Sequence, residues 1–335
     1  MWSCPRIVPR SEFRVLFLVI ETFWSELGII YILPTCLPAI RIHHPHQQSI
    51  KERYLRMDDG PVLYEMHMHT PLCKHARGEP EDYAEVAKQR GLKGMVVTDH
   101  NPSDDGWSPG VRMSVAELVD YVEMVDRARM AWAGKIDIRL GMESDYAPGM
   151  ETWLEKLHGM AAFHHVLGSV HPHIADYKAR YYHDDIEAYQ RIYFDHLAMA
   201  AETGLFDTIA HPDLVKNFSP PDWDIDRSIA FILPCLDRIA ATGTAMELNT
   251  SGLNKAVAEM NPGRRMLEEM QNRNIPVVIG ADAHDPHRVG ANFMEALDML
   301  SSAGYTCVSM FLDREREDLP IDQVRKSLKT PVHAE

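Results

Sequence analysis

The 335-residue sequence has little cysteine, and what it has is too scattered to build a shared site. The five cysteines stand at positions 4, 36, 73, 235 and 307, are odd in number and form no CxxC pair. We therefore expect neither a disulfide framework nor a zinc site made of thiolates. A reducing compartment such as the cytoplasm fits this cysteine usage.

Positive charge is also scarce. The chain has 34 Lys and Arg against 49 Asp and Glu, for a formal net charge of -15 at pH 7. A general nucleic-acid-binding protein needs a basic surface to neutralise phosphates, so we expect no nucleic-acid partner. A small phosphorylated substrate remains possible because bound metal ions can supply positive charge locally.

No long apolar run is free of charge. The segment "FRVLFLVIETFWSELGIIYILPTCLPAI" is interrupted by Glu21 and Glu26 and ends in prolines. A transmembrane helix needs about 20 apolar residues with few charges, so we expect no membrane span. Residues 1–56 are interpreted as an atypical leader, disordered or produced by a misassigned start. Met57 is then the true start, and residues 57–335 form a single domain.

The sequence lacks a phosphate-cradling Gly-rich P-loop and a GxSxG nucleophile elbow, but it is rich in histidine, with 18. The segment "EMHMHT" places His67 and His69 two residues apart in a predicted strand. Residues two apart on a strand point to the same face, so the two imidazoles lie side by side. Taken alone, the pair is equally compatible with two half-buried polar residues.

From residue 60 onward, short β-rich runs alternate with longer amphipathic segments. The predicted strands are "VLYEMHMH", "GMVVTDH", "IDIRLGME", "HVLGSVH", "DTIAHP", "TAMELNT" and "PVVIGADAH", with "TCVSMFL" as a possible eighth. The predicted helices include residues 80–91, 114–134, 185–204, 226–243 and 261–274. This alternation is typical of a mostly parallel sheet, either open or closed into a barrel.

Polar residues stand at the C-terminal end of each predicted strand. They are His67 and His69, Asp99 and His100, Glu143, His171, His211, Asn249, and Asp282 with His284, and His75 follows in the loop after the first strand. An open sheet gathers ligands at one crevice, whereas a closed barrel brings the ends of all its strands around one mouth. The pattern favours an α/β barrel of seven or eight strands.

Imidazoles and carboxylates without thiolates suit zinc, iron or manganese. So many ligands exceed one tetrahedral site and indicate a cluster of two or three ions. Such a cluster lowers the pKa of a bound water from about 15.7 toward 7 and clamps phosphoryl oxygens. This favours phosphate ester hydrolysis by a metal-activated hydroxide, with amide or amidine hydrolysis as the competing reaction.

Eight ordered motifs resemble those of the PHP superfamily, which is named for polymerase and histidinol phosphatase domains. They are "HMHT", "CKHARG", "VVTDHNP", "GMESDY", "GSVH", "AHPDL", "ELNTSG" and "GADAH", and the match runs from about residue 62 to residue 300. The segments "HTPLCKHARG" and "GMESDY" resemble the histidinol-phosphatase branch. The resemblance implies a distorted seven-stranded (β/α) barrel with three divalent metal ions at the C-terminal ends of its strands.

The resemblance also implies a ligand set for each ion. The first ion takes His67, His69, Glu143 and Asp282, the second shares Glu143 and adds His171 and His211, and the third takes His75, His100 and His284. Asp99 is interpreted as a carboxylate that orients an imidazole, with a helix N-cap as the alternative.

On the substrate side, the resemblance implies a basic residue that grips the phosphate. Arg180 is preferred over Lys178 because a guanidinium binds phosphate through two hydrogen bonds, although a solvated surface arginine is the alternative. His173 and Asp213 are the candidates to protonate the leaving alkoxide.

Together these features predict hydrolysis of L-histidinol phosphate to L-histidinol and phosphate, a step of histidine biosynthesis. The first alternative keeps the chemistry but acts on another phosphomonoester or a nucleotide. The second is a metallo-amidohydrolase, which usually needs a carboxylated lysine, and no lysine ends a predicted strand. The third is a metal-binding or regulatory module without catalytic activity.

Overall fold

A computed structural model of the chain describes residues 60–329. The predicted leader, residues 1–56, and the predicted start at Met57 lie outside the described residues. Between residues 60 and 329, no helix is long and apolar enough to cross a membrane.

Strands and helices alternate as the sequence predicts. The strands are β1 (Tyr64–Glu65), β2 (Gly94–Val97), β3 (Asp137–Asp145), β4 (His165–Ser169), β5 (Thr208–Ile209), β6 (Ala245–Asn249), β7 (Val277–Gly280), β8 (Cys307–Leu312) and β9 (Glu315–Pro320). The helices are α1 (Pro80–Gln89), α2 (Leu118–Ala131), α3 (Glu151–His158), α4 (Ala175–Tyr181), α5 (Ile186–Glu202), α6 (Ile225–Thr242), α7 (Arg264–Asn272), α8 (Phe293–Ser302) and α9 (Ile321–Ser327).

The strands lie in one sheet in chain order, from β1 to β9. Strands β1 to β8 are parallel, and β9 runs antiparallel to β8. This confirms the predicted α/β class with a parallel sheet. Side chains that follow successive strands therefore gather at one edge, because parallel strands all end on the same side of the sheet.

The two ends of this sheet approach each other just beyond β1 and β7. Met68 and Ala283 form a parallel bridge. The His69 amide donates to the Ala283 carbonyl at 2.9 Å, and the Ala283 amide donates to the His67 carbonyl at 3.1 Å. The segments that follow the first and seventh strands are thus hydrogen-bonded to each other at the C-terminal edge.

Helix α1 shows how local sequence fixes an element against the sheet. Pro80 occupies its first turn, and Glu79 and Asp82 form a reciprocal capping box. Proline suits this position because the first amide of a helix has no partner within the helix. The helix buries Tyr83 and Ala84 in the core, so its apolar stripe faces the sheet as its periodicity predicts.

Two elements absent from the prediction have physical explanations. Strand β9 is exposed at all but one of its positions, so it lacks the apolar alternation of a core strand. Its hairpin turn uses Asp313 and Arg314 at φ of 54° and 64°, rather than the glycine that usually marks such turns. Helix α4 is short and largely exposed, and its apolar pattern is correspondingly weak.

Candidate metal centre

The carboxylate of Glu143 lies at the centre of the predicted ligands. Glu143 stands on β3 and is 0% exposed. Its two oxygens approach five imidazoles, which are His100 at 2.8 Å, His211 at 3.0 Å, and His67, His69 and His171 at 3.5 Å each. These histidines come from the ends of four other strands, so the parallel topology itself brings them together.

A second group surrounds Asp282, which follows β7. Its Oδ1 lies 3.2 Å from His69 Nε2, 3.7 Å from His67 Nε2 and 3.3 Å from His284 Nδ1. The His284 ring stacks on the His69 ring at 3.9 Å and on the His75 ring at 4.5 Å. The structure therefore brings together the nine predicted metal ligands.

One predicted ligand set, and three of the four members of another, have ligand atoms within 4.8 Å of one another. These compact groups are His67 with His69 and Asp282, and His75 with His100 and His284. In the set predicted for the second ion, both His171 and His211 lie close to Oε1 of Glu143. The spacing leaves room for cations between the side chains.

Several imidazoles are held through the ring nitrogen that faces away from the centre. The Nδ1 atom of His67 lies 2.7 Å from Glu247 Oε1, and that of His171 lies 2.8 Å from Asp145 Oδ1. The Nδ1 atom of His75 lies 2.7 Å from the backbone carbonyl of Cys73. With hydrogen on Nδ1, each ring donates outward and leaves the Nε2 lone pair facing the other ligands, as in metal-ligating histidines.

Several inner atoms of the cluster form no hydrogen bond of good geometry among the described residues, although some lie close to a carboxylate oxygen. They are Nε2 of His67, His69 and His284, Nδ1 of His100 and Oε2 of Glu143. A buried polar group without a partner costs about 1–3 kcal/mol, so leaving several in one place needs compensation. Imidazole nitrogens and carboxylate oxygens are ligands of divalent cations, so this donor set fits divalent metal ions.

The electrostatics of the centre favour cations. Burial alone would raise the pKa of Glu143, but the surrounding histidines, first His100 and His67, hold it well below its usual range. Burial, with a smaller effect from neighbouring histidines, lowers the pKa of His100 to about 4 and that of His284 to about 2. At neutral pH these two imidazoles are uncharged, as a metal ligand must be.

The backbone is strained at two ligands. His211 has a φ of 27° and Asp282 a φ of 47°, in the left-handed region that residues other than glycine rarely adopt. Such conformations cost about 1–3 kcal/mol each and cluster at functional sites. Both side chains are thereby turned into the cluster directly after their strands end.

Three carboxylates that support the ligands were not singled out from the sequence. Glu247 accepts the His211 amide at 2.8 Å as well as facing His67. Glu65 accepts the Ala281 amide at 2.9 Å and so ties β1 to the chain before Asp282. The third is Asp145, the partner of His171. Glu65 stands two residues before His67, so the alternation of "EMHMHT" already placed it on the ligand face.

Gly280 permits Glu247 and His67 to pack closely together. A Cβ atom at this position would lie 2.1 Å from Glu247 Oε1 and 2.7 Å from the Cβ of His67. Any side chain here would therefore displace the carboxylate that holds His67.

Asp99 faces the ligands rather than the open cavity. It is fully buried, and its Oδ1 lies 3.5 Å from His69 Nδ1. It also accepts the His100 amide at 2.7 Å and the Thr70 hydroxyl. Asp99 is thus placed to orient an imidazole, and the N-cap alternative finds no support because no helix begins beside it.

Two residues predicted for the substrate side lie elsewhere. The Arg180 guanidinium lies over the Trp107 ring at 4.9 Å and is not part of the cavity lining. Asp213 is buried and accepts from Lys216 Nζ at 3.0 Å, the Gly263 amide at 2.8 Å and the Asn261 side chain at 2.5 Å. These contacts occupy both oxygens of Asp213, which is not among the residues that line the cavity.

A cavity of about 1030 Å³ opens onto the cluster, and His173 lines it beside His171, with ring centroids 5.6 Å apart. Its basic lining residues are Arg77, Arg112, Lys255 and Arg288. Two of these are already paired, Arg112 with Asp145 and Arg77 with Asp285. Lys255 Nζ lies 3.8 Å from Asp282 Oδ2, so it brings a positive charge to the edge of the ligand cluster.

The sequence is similar to those of known proteins. Residues 65–251 match the PHP domain family. A Deinococcus radiodurans protein named "Probable histidinol-phosphatase" is 37% identical over 248 residues, which are 72% of this chain and 94% of that protein. The Bacillus subtilis protein named "Histidinol-phosphatase" is 26% identical over 252 residues, covering 67% of this chain and 94% of that protein.

One solved structure has a similar fold. It is histidinol phosphate phosphatase from Lactococcus lactis complexed with zinc, L-histidinol and phosphate. The TM-score is 0.66 at 19% sequence identity, and the alignment covers 76% of this chain and 98% of that one.

The Glu247→Ala variant tests whether Glu247 holds His67 in the orientation that metal binding needs. We expect a 10–100-fold loss of metal affinity because His67 loses the acceptor that fixes its tautomer and ring orientation. Metal content after dialysis against graded concentrations of a chelator measures this. Glu317→Ala, which removes an exposed carboxylate on β9, is the matched control. Equal metal retention in the two variants would contradict the supporting role of Glu247.

Proposed function

The chain belongs to the PHP domain family, and on that premise we propose that it is a metal-dependent phosphatase of L-histidinol phosphate. The products are L-histidinol and inorganic phosphate. One observation carries the proposal: imidazoles from the ends of four strands converge on the buried Glu143, and three of them, His100, His171 and His211, line an open cavity. The 37% identity to a relative named "Probable histidinol-phosphatase" supports the substrate.

We assign three divalent ions, zinc, manganese or iron, to the cluster. Their ligands are His67, His69, Glu143 and Asp282 for the first, Glu143, His171 and His211 for the second, and His75, His100 and His284 for the third. The short contacts of Glu143 with five imidazoles support a bridging role for its two oxygens. When bound, such ions supply Lewis acidity, which polarises phosphoryl oxygens and acidifies water.

The remaining steps belong to side chains around the cavity. Lys255 lies beside Asp282 and can bind a phosphoryl oxygen by a charge-assisted hydrogen bond. His173 lines the cavity next to His171 and is the candidate to pass a proton to the departing alkoxide. Burial, and less strongly the neighbouring His171, lower the pKa of His173 to about 3, so at neutral pH it must first receive that proton from another group. Asp99 orients His69 without touching the substrate.

Phosphate release from a panel of phosphomonoesters tests the proposed function. The panel contains L-histidinol phosphate, common nucleotides and p-nitrophenyl phosphate, with metal content measured on the same sample. We expect a strong preference for L-histidinol phosphate. His67→Ala and Asp282→Asn should lose metal and nearly all turnover, because each removes a ligand. The control is His183→Ala, which changes an exposed histidine.

Broad, weak activity on the panel would support phosphomonoester hydrolysis but contradict L-histidinol phosphate as the preferred substrate. A metal-loaded protein that is inert on every phosphomonoester would contradict the phosphatase assignment and favour amide hydrolysis or a regulatory role.

Paired variants identify the residue that grips the phosphate. We expect Lys255→Met to raise KM for L-histidinol phosphate at least tenfold, because a hydrogen bond to a charged group contributes about 1.5–3 kcal/mol. Arg180→Ala should leave KM within about twofold, because its guanidinium packs on Trp107 outside the cavity lining. Steady-state kinetics with metal content held equal measures both. The reverse ranking would restore Arg180 as the phosphate-binding residue.

A further inference from the structure

One wall of the cavity is built from two segments that are not metal ligands. We call it the outer wall, and it consists of residues 108–111, in the long connection after β2, and residues 174–176, at the start of α4. Val111 and Ile174 give it an apolar character, and Asp176 gives it one carboxylate. The outer wall and the metal cluster line the same cavity, so a substrate whose phosphate reaches the cluster can present its other end to this wall.

The Asp176 carboxylate is held by a single residue. The Ser108 amide and the Ser108 hydroxyl both donate to Asp176 Oδ2, each at 2.9 Å. Ser108 adopts a φ of 44°, an uncommon conformation for a residue with a side chain. Its carbonyl accepts from Nε of the buried Arg112 at 3.2 Å. Hydrogen bonds with Arg112 and Asp176 thus fix the conformation of Ser108, and Ser108 in turn holds Oδ2 of Asp176.

The other oxygen of Asp176 is free to bind a ligand. Within residues 60–329, no donor forms a hydrogen bond with Oδ1, and no lysine, arginine or histidine forms an ion pair with this carboxylate. The two other carboxylates in the cavity lining are engaged: Asp282 with the metal ligands and Asp285 with Arg77. Asp176 is therefore the unneutralised negative charge of the cavity lining.

We propose that Asp176 is a specificity-determining residue that binds a cationic nitrogen on the alcohol half of the substrate. This inference rests on the proposed function, since L-histidinol phosphate carries both an ammonium group and an imidazole. The ammonium group can donate a charged N–H to Oδ1, and the imidazole can do so in its protonated form. Such a contact selects the substrate through KM, while the chemistry at phosphorus stays with the metal cluster.

The variant Asp176→Asn removes the negative charge of this side chain and leaves its shape nearly unchanged. An asparagine oxygen can still accept both Ser108 donors, so the outer wall keeps its conformation. We expect KM for L-histidinol phosphate to rise at least tenfold with kcat within twofold. KM for p-nitrophenyl phosphate, which has no cationic nitrogen, should stay unchanged, as should metal content. Asp184→Asn, the same substitution at an exposed position outside the cavity lining, is the matched control.

Phosphoethanolamine, used as a competitive inhibitor, distinguishes the two nitrogens. It has an ammonium group but no imidazole. If its inhibition constant also rises at least tenfold in Asp176→Asn, the ammonium group is the ligand of Asp176. If only KM for L-histidinol phosphate rises, the imidazole is the ligand. Either result supports the assignment of Asp176.

An unchanged ratio of the two KM values in Asp176→Asn would overturn the assignment of Asp176. Wild-type protein that cleaves p-nitrophenyl phosphate but not L-histidinol phosphate would instead overturn the proposed function. The two failures are therefore distinguishable on the same samples.

Discussion

The structure depends on a carboxylate that is removed from water and surrounded by imidazoles. An isolated buried charge costs many kcal/mol unless opposite charge and hydrogen bonds compensate it. Glu143 meets this condition only if strand ends from several parts of the chain converge on it, since the imidazoles around it are spread along the sequence from His67 to His211. The parallel sheet, with the segments after its first and seventh strands hydrogen-bonded to each other, supplies that convergence.

Other features of the fold follow from the same constraint. Imidazoles around one carboxylate can face inward only if their outer nitrogens are held, which accounts for the buried Glu247 and Asp145. Glu247 in turn needs the space that a side chain at Gly280 would fill. The strained backbone at His211 and Asp282 aims two further ligands at the same centre. Stability is thus tied to cations that neutralise these carboxylates and use the free lone pairs.

The convergence of the nine predicted ligands could be foreseen from the sequence because strand periodicity and strand ends determine where side chains point. "EMHMHT" shows the two-residue alternation directly, although regular pairing there ends at Glu65 and the following histidines lie in extended chain. The residues predicted to contact the substrate follow no comparable pattern in the sequence. Asp213 stands two residues after the predicted ligand His211, so the sequence suggests that it faces the cavity. In the structure, its carboxylate instead accepts hydrogen bonds from three donors outside the cavity lining. Arg180 lies on a short, exposed helix, where sequence spacing does not determine what the side chain contacts.

Anomalous diffraction from crystals of the metal-loaded protein tests the central claim most directly, combined with elemental analysis of the same sample. We expect three ions per chain, each about 2.0–2.2 Å from its imidazole and carboxylate ligands, with Glu143 shared by two of them. Fully active protein that holds no ion within reach of Glu143, or whose ions lie away from the nine predicted ligands, would contradict that claim.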